Sequence, residues 1–486
     1  MSDSREIRWL DRWSALAIIC IALSVSFTHI CIALAFISLL IERLRGGMHF
    51  TFGCFKPAVA LQGIRTSFQR LPLVFGLALL YFGALIISFL INAIYVPTYL
   101  KILRYPNEMT DLPLLLFGLL IFFRVQKSNR RLQFYSTALV VLLILLVLSG
   151  FVALFFEFRL ARLISGYGTI ASAQNRPQHP LIMIQGLQLF RPLGLMNTHL
   201  SFAGLLLLSG AILPVINSAL PGKQTRYPVI QTVFASGIIF LLYATQARSI
   251  QFGALAMIVI VIIQIGLQAV FIYHARRTDR SDSMTNRRRA AITVLLFVVL
   301  IVGGIFISII VRQGFQGWQI VSAYNTDYAR PIVWHSAWDR FQENQFFGSG
   351  PGSFAYYSSI WKNNFLQLHP ELLYQLQNAP LGHAHNDVLH ILATGGILAA
   401  AFYLSLAALL FQYTWRSCGR LICEGPGRIR LSARRSHLGW LVLPAFFLSG
   451  LFQCFFQDDE VVVLFWVLIG WLSASEKRSG DTERLD

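Results

Sequence analysis

Apolar runs of about 20 residues recur along almost the whole chain, and nothing else in the sequence constrains the fold as tightly. Each is long enough to cross a bilayer core of roughly 30 Å as a helix. In hydrocarbon the backbone must satisfy its own hydrogen bonds, which leaves helices and closed barrels. The runs lack the period-two alternation of a barrel strand, so helices are expected. Composition agrees: of 486 residues 56% are hydrophobic and 13% charged, against about 25% charged in a soluble domain. The first run has a basic flank but no small-residue cleavage site after it, so no cleavable signal peptide is expected.

Spans are predicted near 72–94, 111–125, 133–157, 199–220, 228–246, 250–273, 290–312, 386–412, 437–456 and 459–474. The run 14–41 is too long for one span and carries a polar break at Ser26, Thr28 and His29. It is read as a hairpin of two short helices, which brings the total to about 12 spans. The expectation is an all-α polytopic membrane protein, a single transmembrane domain over 1–486. The six cysteines form no CxxC and are expected to be small buried hydrophobes.

The formal net charge is +18. A nucleic-acid partner would need a folded basic surface with base or phosphate readers. Here the basic residues sit mostly in short links between apolar runs, which is a topology signal, and no nucleic acid is expected. With a cytoplasmic N-terminus and the hairpin in place, the large majority of the 40 Lys and Arg fall on the cytoplasmic side, Arg287, Arg288 and Arg289 among them. Both termini are then cytoplasmic. Reading 14–41 as one span would place Arg43, Arg45, Arg65 and Arg70 outside.

Two outward segments are long, 158–198 and 313–385. The second holds Trp318, Trp334, Trp338 and Trp361 and is too aromatic for disorder. It is expected to form a small helical cap with helices near 331–345 and 353–376.

The candidate residues lie on this outer side. In Gly382-His383-Ala384-His385-Asn386-Asp387, either histidine could serve as a general base. The i, i+2 spacing puts them on different sides of a helix, and a metal site would need further ligands. The structural alternative is a helix start capped by Asn386 or Asp387. Arg191 precedes the helix at 199, and Arg248 sits in a very short turn, Thr245-Gln-Ala-Arg248-Ser249. A guanidinium suits bidentate phosphate binding; the alternative is snorkelling to lipid headgroups. Phe347-Gly-Ser-Gly350-Pro-Gly-Ser-Phe354 lacks the Lys-Ser/Thr of a P-loop and reads better as a tight turn. Arg330 opens a stretch in which Trp334, Ala337 and Phe341 share helical spacing, read as cap core.

In this order the motifs resemble the O-antigen ligase/polymerase superfamily of bacterial envelope glycosyltransferases. The matching pieces are Arg191-Pro-Leu-Gly, Thr245-Gln-Ala-Arg248-Ser, Arg330-Pro-Ile-Val-Trp334 with Gly348-Ser-Gly-Pro-Gly-Ser-Phe354, and His385-Asn386-Asp387-Val-Leu389 with Thr394-Gly395-Gly396-Ile397. The resemblance implies a GT-C-like fold in the bacterial inner membrane. It also implies metal-independent, inverting transfer of a glycan from undecaprenyl diphosphate to a hydroxyl acceptor at the periplasmic face, without a cofactor. The implied partners are that donor, a glycolipid or glycan acceptor, and membrane lipids. His385 would activate the acceptor, with His383 ranked second. Arg191 and Arg248 would hold the diphosphate, with Arg330 a weaker match; Asn386, Asp387 and Gly350 would support the site. One departure is Gln-Ala-Arg-Ser where relatives often have Ser-Arg-Gly. The rivals are a repeat-unit polymerase of the same superfamily, a protein O-oligosaccharyltransferase, and a lipid-linked glycan transporter or flippase. Ion-coupled transport predicts ionisable residues inside the spans, which are nearly free of them.

Overall fold

From Val461 to Leu472 the chain is apolar on every face, and a helix of that kind belongs in a core. The computed structural model describes residues 7–45, 71–102, 108–157, 160, 180–184, 187–219, 227–278, 329–373, 381–423 and 437–483. The major helices are α1 (Trp9–Cys20), α2 (Val25–Arg45), α3 (Leu73–Tyr95), α4 (Leu112–Lys127), α5 (Asn129–Ala153), α6 (His199–Ser209), α7 (Tyr227–Ala244), α8 (Arg248–Thr278), α9 (Ala329–Glu343), α10 (Phe354–Leu368), α11 (Asp387–Cys423), α12 (Pro444–Gly450) and α13 (Asp459–Glu483). Every residue of α13 between Val461 and Leu472 is buried. Its closest neighbour is α4, and glycines let the two backbones meet: a Cβ on Gly470 would lie 2.2 Å from the Gly118 carbonyl oxygen. Small residues at a crossing do the same work in membrane bundles generally.

Five helices among the described residues are long and apolar enough to cross a membrane: Val25–Arg45, Leu73–Tyr95, Asn129–Ala153, Arg248–Gln268 and Asp387–Arg420. Shorter apolar helices cover His199–Val215, Pro228–Ala244 and His437–Gly450. Val229, Val233 and Ile239 on α7 and Leu255, Ile258 and Ile262 on α8 are exposed. An apolar face of that extent suits lipid better than water. The predicted span 290–312 lies outside the described residues.

The bundle has two chemically different ends, joined by α13. At one end Arg124 donates to both Asp11 oxygens, at 2.7 and 2.5 Å, while Arg131 and Tyr135 reach the same carboxylate at 3.2 and 3.0 Å. Glu42 links Arg8 and Arg124 at that end, and Lys477 of α13 lies over the Phe122 ring. At the other end Asp459 meets His29 at 3.5 Å. From Asp459 to Glu476 the helix rises roughly 26 Å, close to the thickness of a bilayer core.

The run 14–41 is a helical hairpin, α1 and α2, but its break falls at 21–24 rather than at Ser26, Thr28 and His29. The Thr28 hydroxyl donates to the Ser24 carbonyl at 3.0 Å, so the helix absorbs it without breaking. The fold is also not purely helical. Pro180–Ile184 (β1) and Leu187–Phe190 (β2) pair antiparallel, with Ile184 opposite Leu187. The Phe190 N–H donates to the Leu154 carbonyl at 2.8 Å and ties this hairpin to the end of α5. The first cap helix falls where expected, and the second starts as expected but ends at Leu368 rather than near 376; on α9 the buried Val333 and Ala337 pack with Phe354, Ala384 and Ala393. Trp334 and Phe341 are only half-buried. Cys20, Cys31, Cys418 and Cys454 are buried thiols.

Helix α11 is broken near its start. Gly396 takes φ 68° and ψ −169°, which a residue with a side chain rarely adopts. The break frees carbonyls, and the glycine loop supplies their donors: Ser349 N–H to Ala393 and Gly350 N–H to Thr394, both at 2.9 Å. Ile397 N–H returns a bond to Gln345 at 2.8 Å. From α3, the Ser88 hydroxyl lies 3.0 Å from the Thr394 carbonyl, and the Asn92 amide donates to Gly348 at 3.2 Å. A Cβ on Gly396 would lie 2.3 Å from the Phe346 carbonyl oxygen. Gly396→Ala should therefore lower thermal stability by about 2 kcal/mol or more, through strain and a backbone clash. Gly76→Ala, with nothing within 4 Å, should be close to neutral. Melting curves of the two purified variants check this.

Candidate functional site

Between α12 and α13 the chain reads Leu451-Phe-Gln-Cys-Phe-Phe-Gln-Asp458; the span expected at 437–456 stops at Gly450, and Gln453 and Gln457 meet polar partners in the turn that follows. This turn lies at the end of the bundle opposite the Asp11 network. The segment receives side chains from several elements: Asn386 donates to Leu451 at 2.9 Å, Phe252 packs its ring on Phe452 at 5.0 Å, and Gln457 lies 3.2 Å from His390. Ser201 at the start of α6 donates to Asp458 at 3.1 Å. Burial and the charge of Glu460 push the Asp458 carboxyl up to about 7.

The histidine loop is pinned to this segment residue by residue. His385 sits in the left-handed region, φ 50°, which is uncommon for a non-glycine residue and costs of order 1–3 kcal/mol. Its Nδ1 lies 3.4 Å from the Gln453 carbonyl oxygen, and both residues are buried. Asn386 is the helix cap, accepting from Leu389 N–H at 3.0 Å. Asp387 is buried, accepting from the Tyr403 hydroxyl at 3.3 Å and Phe456 N–H at 3.4 Å. The rings of His383 and His385 are 4.2 Å apart. Burial, then the charges of His385, His390 and Arg330, push the His383 imidazole down to about 3, so it is neutral at physiological pH. Arg330, half-buried at the start of α9, is thus close enough to be felt by the loop.

The arginines converge from two elements. Arg191 follows β2; Pro192 favours extended backbone there, and Gly194, φ 54°, turns where a Cβ would lie 2.6 Å from the Phe202 ring. Arg248 is the first residue of α8. Between them Gln246, φ 52°, accepts from Arg191 Nη2 at 2.6 Å. Burial, then the charge of Arg248, lowers the Arg191 pKa. Phe252, one turn after Arg248, reaches Phe452, next to the Gln453 that meets His385. The arginine turn and the histidine loop therefore flank one segment. Gly350 is placed differently: its φ is 92°, and a Cβ would lie 2.4 Å from the Tyr99 ring, so it serves the docking of the glycine loop.

Sequence reasoning missed Glu108 and His390. Glu108 Oε1 lies 2.6 Å from His390 Nε2, and Oε2 accepts from Gly352 N–H at 2.8 Å. Both side chains are at most 4% exposed. Burial alone would raise the Glu108 pKa; the bond and charge of His390, with backbone donors, outweigh it and hold the carboxyl below its usual range. The available signal was His390 itself, an ionisable residue inside an apolar span. Glu108, in a short polar link, carried no signal of its own.

Residues 283–404 match the O-antigen ligase family. No curated protein matches the chain.

Two depressed values at the site, those of His383 and Glu108, weaken the fold as pH falls, while the raised Asp458 acts in the opposite sense between about 7 and 3.8. A group whose folded pKa lies below its unfolded value contributes stability that is lost as pH falls from the unfolded toward the folded value. For His383 that window runs from 6.5 down to about 3, and for Glu108 it lies below 4.5. Because the raised Asp458 opposes His383 over the same window, the expected outcome is a difference between proteins: between pH 6 and 4 His383→Gln should lose less melting temperature, or gain more, than the wild type, while the Glu108 contribution below 4.5 stays in place. An unchanged slope in the variant would contradict a buried neutral His383.

Proposed function

We propose that this chain, which matches the O-antigen ligase family over residues 283–404, transfers a glycan from undecaprenyl diphosphate to a hydroxyl acceptor, as an O-antigen ligase does. The acceptor class is a glycolipid such as lipid A-core, or another envelope glycan. The observation that carries this reading is the convergence of Arg191, Arg248, His383 and His385 around the 451–458 segment at one end of the bundle. The excess of positive charge at the end bearing Arg124 and Arg131 supports a cytoplasmic side there, and with it a site at the periplasmic face of the bacterial inner membrane.

A glycosyl diphosphate already carries a good leaving group, and its departure needs charge stabilisation. Two guanidinium groups supply it as the bond from C1 to the phosphate oxygen breaks. The acceptor oxygen attacks C1 from the opposite face, which inverts the anomeric centre. His385 takes its proton. If Nδ1–H faces the Gln453 carbonyl oxygen at 3.4 Å, the lone pair of the imidazole lies on Nε2, the nitrogen that would take the acceptor's proton. The tautomer is thus assigned by the partner, as with other histidine bases. His383, neutral beside it, adds no competing charge. Arg330 lies near the histidines and is a secondary candidate for the diphosphate.

His385→Ala should lower transfer by about 10²–10⁴-fold while the protein remains folded in membranes; normal transfer would refute the base assignment. Arg248→Lys keeps the charge but loses the planar fork, and a loss of roughly tenfold or more in kcat/KM is expected. Wild-type turnover in that variant would favour simple snorkelling. Glycolipid profiling of a deletion strain separates the close rivals: accumulated carrier-linked polymer indicates a ligase, accumulated single repeats a polymerase.

A further inference from the structure

Gln246 occupies a strained position that folding alone does not explain. It lies in the left-handed region at φ 52°, on an exposed turn, where glycine or asparagine would relieve the cost. The turn around it is held by hydrogen bonds. Thr245 is buried and its hydroxyl donates to the Leu242 carbonyl at 2.8 Å. The Gln251 amide donates to the carbonyls of Leu242 and Tyr243, each at 3.2 Å. Gln246 N–H donates to Tyr243 at 3.1 Å. The effect is to send the Gln246 side chain across to Arg191, whose Nη2 it meets at 2.6 Å.

That contact orients the amide. A guanidinium only donates, so the atom facing it must be the carbonyl oxygen, and the NH₂ end is turned away. The contact also uses one edge of the Arg191 fork. Arg191 Nε is shut from solvent and has no hydrogen-bond partner among the described residues. A buried donor in that state costs free energy unless a ligand accepts from it. Arg248, two residues from Gln246, opens α8, whose N-terminus carries the positive end of the helix dipole. The turn therefore gathers two guanidinium groups, an amide NH₂ and a helix N-terminus.

We propose that Gln246 builds the diphosphate site of this chain: its carbonyl oxygen holds the Arg191 guanidinium at the turn that carries Arg248, and its NH₂ group donates to a phosphate oxygen. The inference rests on the reading of Arg191 and Arg248 as diphosphate ligands. It gives the Gln-Ala-Arg-Ser sequence a role, since a residue lacking a long amide at this position could neither reach Arg191 nor offer the donor. Gln246 is thus a binding residue through its NH₂ and a positioning residue through its oxygen.

The test uses the full-length protein in lipid nanodiscs with undecaprenyl diphosphate as the probe. Gln246→Gly suits the backbone, so melting temperature should hold or rise, while the Kd for undecaprenyl diphosphate should weaken about ten- to a hundredfold, the worth of hydrogen bonds to a charged group. Gln246→Glu keeps the hold on Arg191 but replaces the donor with a negative charge, and should weaken binding at least as much. In turnover assays both variants should raise the donor KM and leave the acceptor KM unchanged. Wild-type donor affinity in Gln246→Gly overturns the inference. Arg191→Ala and Arg248→Ala in the same assay separate the two levels. If they lose the probe while Gln246→Gly keeps it, only the role of Gln246 fails. If they bind it like wild type, the diphosphate reading fails with it.

Discussion

A helix that breaks inside an apolar body leaves carbonyls that lipid cannot satisfy, and each costs several kcal/mol unless a donor is found. In this chain the donors come from the glycine loop, which closes onto the break at Gly396 through Ser349 and Gly350. The cap and the bundle are joined by this exchange of backbone bonds. It explains why glycines are needed on both sides: Gly348 would place a Cβ 2.5 Å from the Thr394 carbonyl carbon, and Gly396 faces Phe346 equally closely. The two glycine motifs, some 45 residues apart by chain numbering, form one joint. Beyond the joint, the first turn of α11 is free to point its capped end, His385 to Asp387, into the 451–458 segment.

Much of this architecture was legible as pattern. Several helices from 72 onward, Leu73–Tyr95, Leu112–Lys127 and Tyr227–Ala244 among them, start and stop within a few residues of the apolar runs, because a span is defined by hydropathy over its whole length; Asp387–Cys423 and Asp459–Glu483 run on well past theirs, and the run 437–456 holds only the short helix Pro444–Gly450. The hairpin at the N-terminus was legible from length and charge together. Its break was not, because Ser26 and Thr28 can bond back to the preceding turn and stay helical. The short β-hairpin at 180–190 was hidden for a different reason: four or five apolar residues look alike in a strand and at a span edge.

The site was legible in part. Arg191, Arg248, His383 and His385 each stood out as polar groups at span ends, and the fold brings them to one end of the bundle. What no linear pattern displayed is the segment that organises them. Gln453 and Gln457 are ordinary residues in sequence; they matter because the chain between α12 and α13 turns beneath the histidine loop. Glu108 is of the same kind, gaining its role only from His390, 282 positions away, and from the Gly352 backbone.

The Glu108–His390 pair also bears on how two histidines in one short loop can differ. A buried ion pair contributes little net stability, because desolvation consumes most of the attraction, but removing one partner leaves a buried charge. The pair therefore fixes a charge pattern more than it strengthens the fold. Burial and the positive charge of neighbouring groups oppose a proton on His383. His385 instead faces the Gln453 carbonyl oxygen, which favours a proton on Nδ1. Two imidazoles 4.2 Å apart thus sit in different surroundings. Divergent environments of neighbouring titratable groups are what acid–base sites are commonly built from, and here the divergence originates in residues that lie outside the loop.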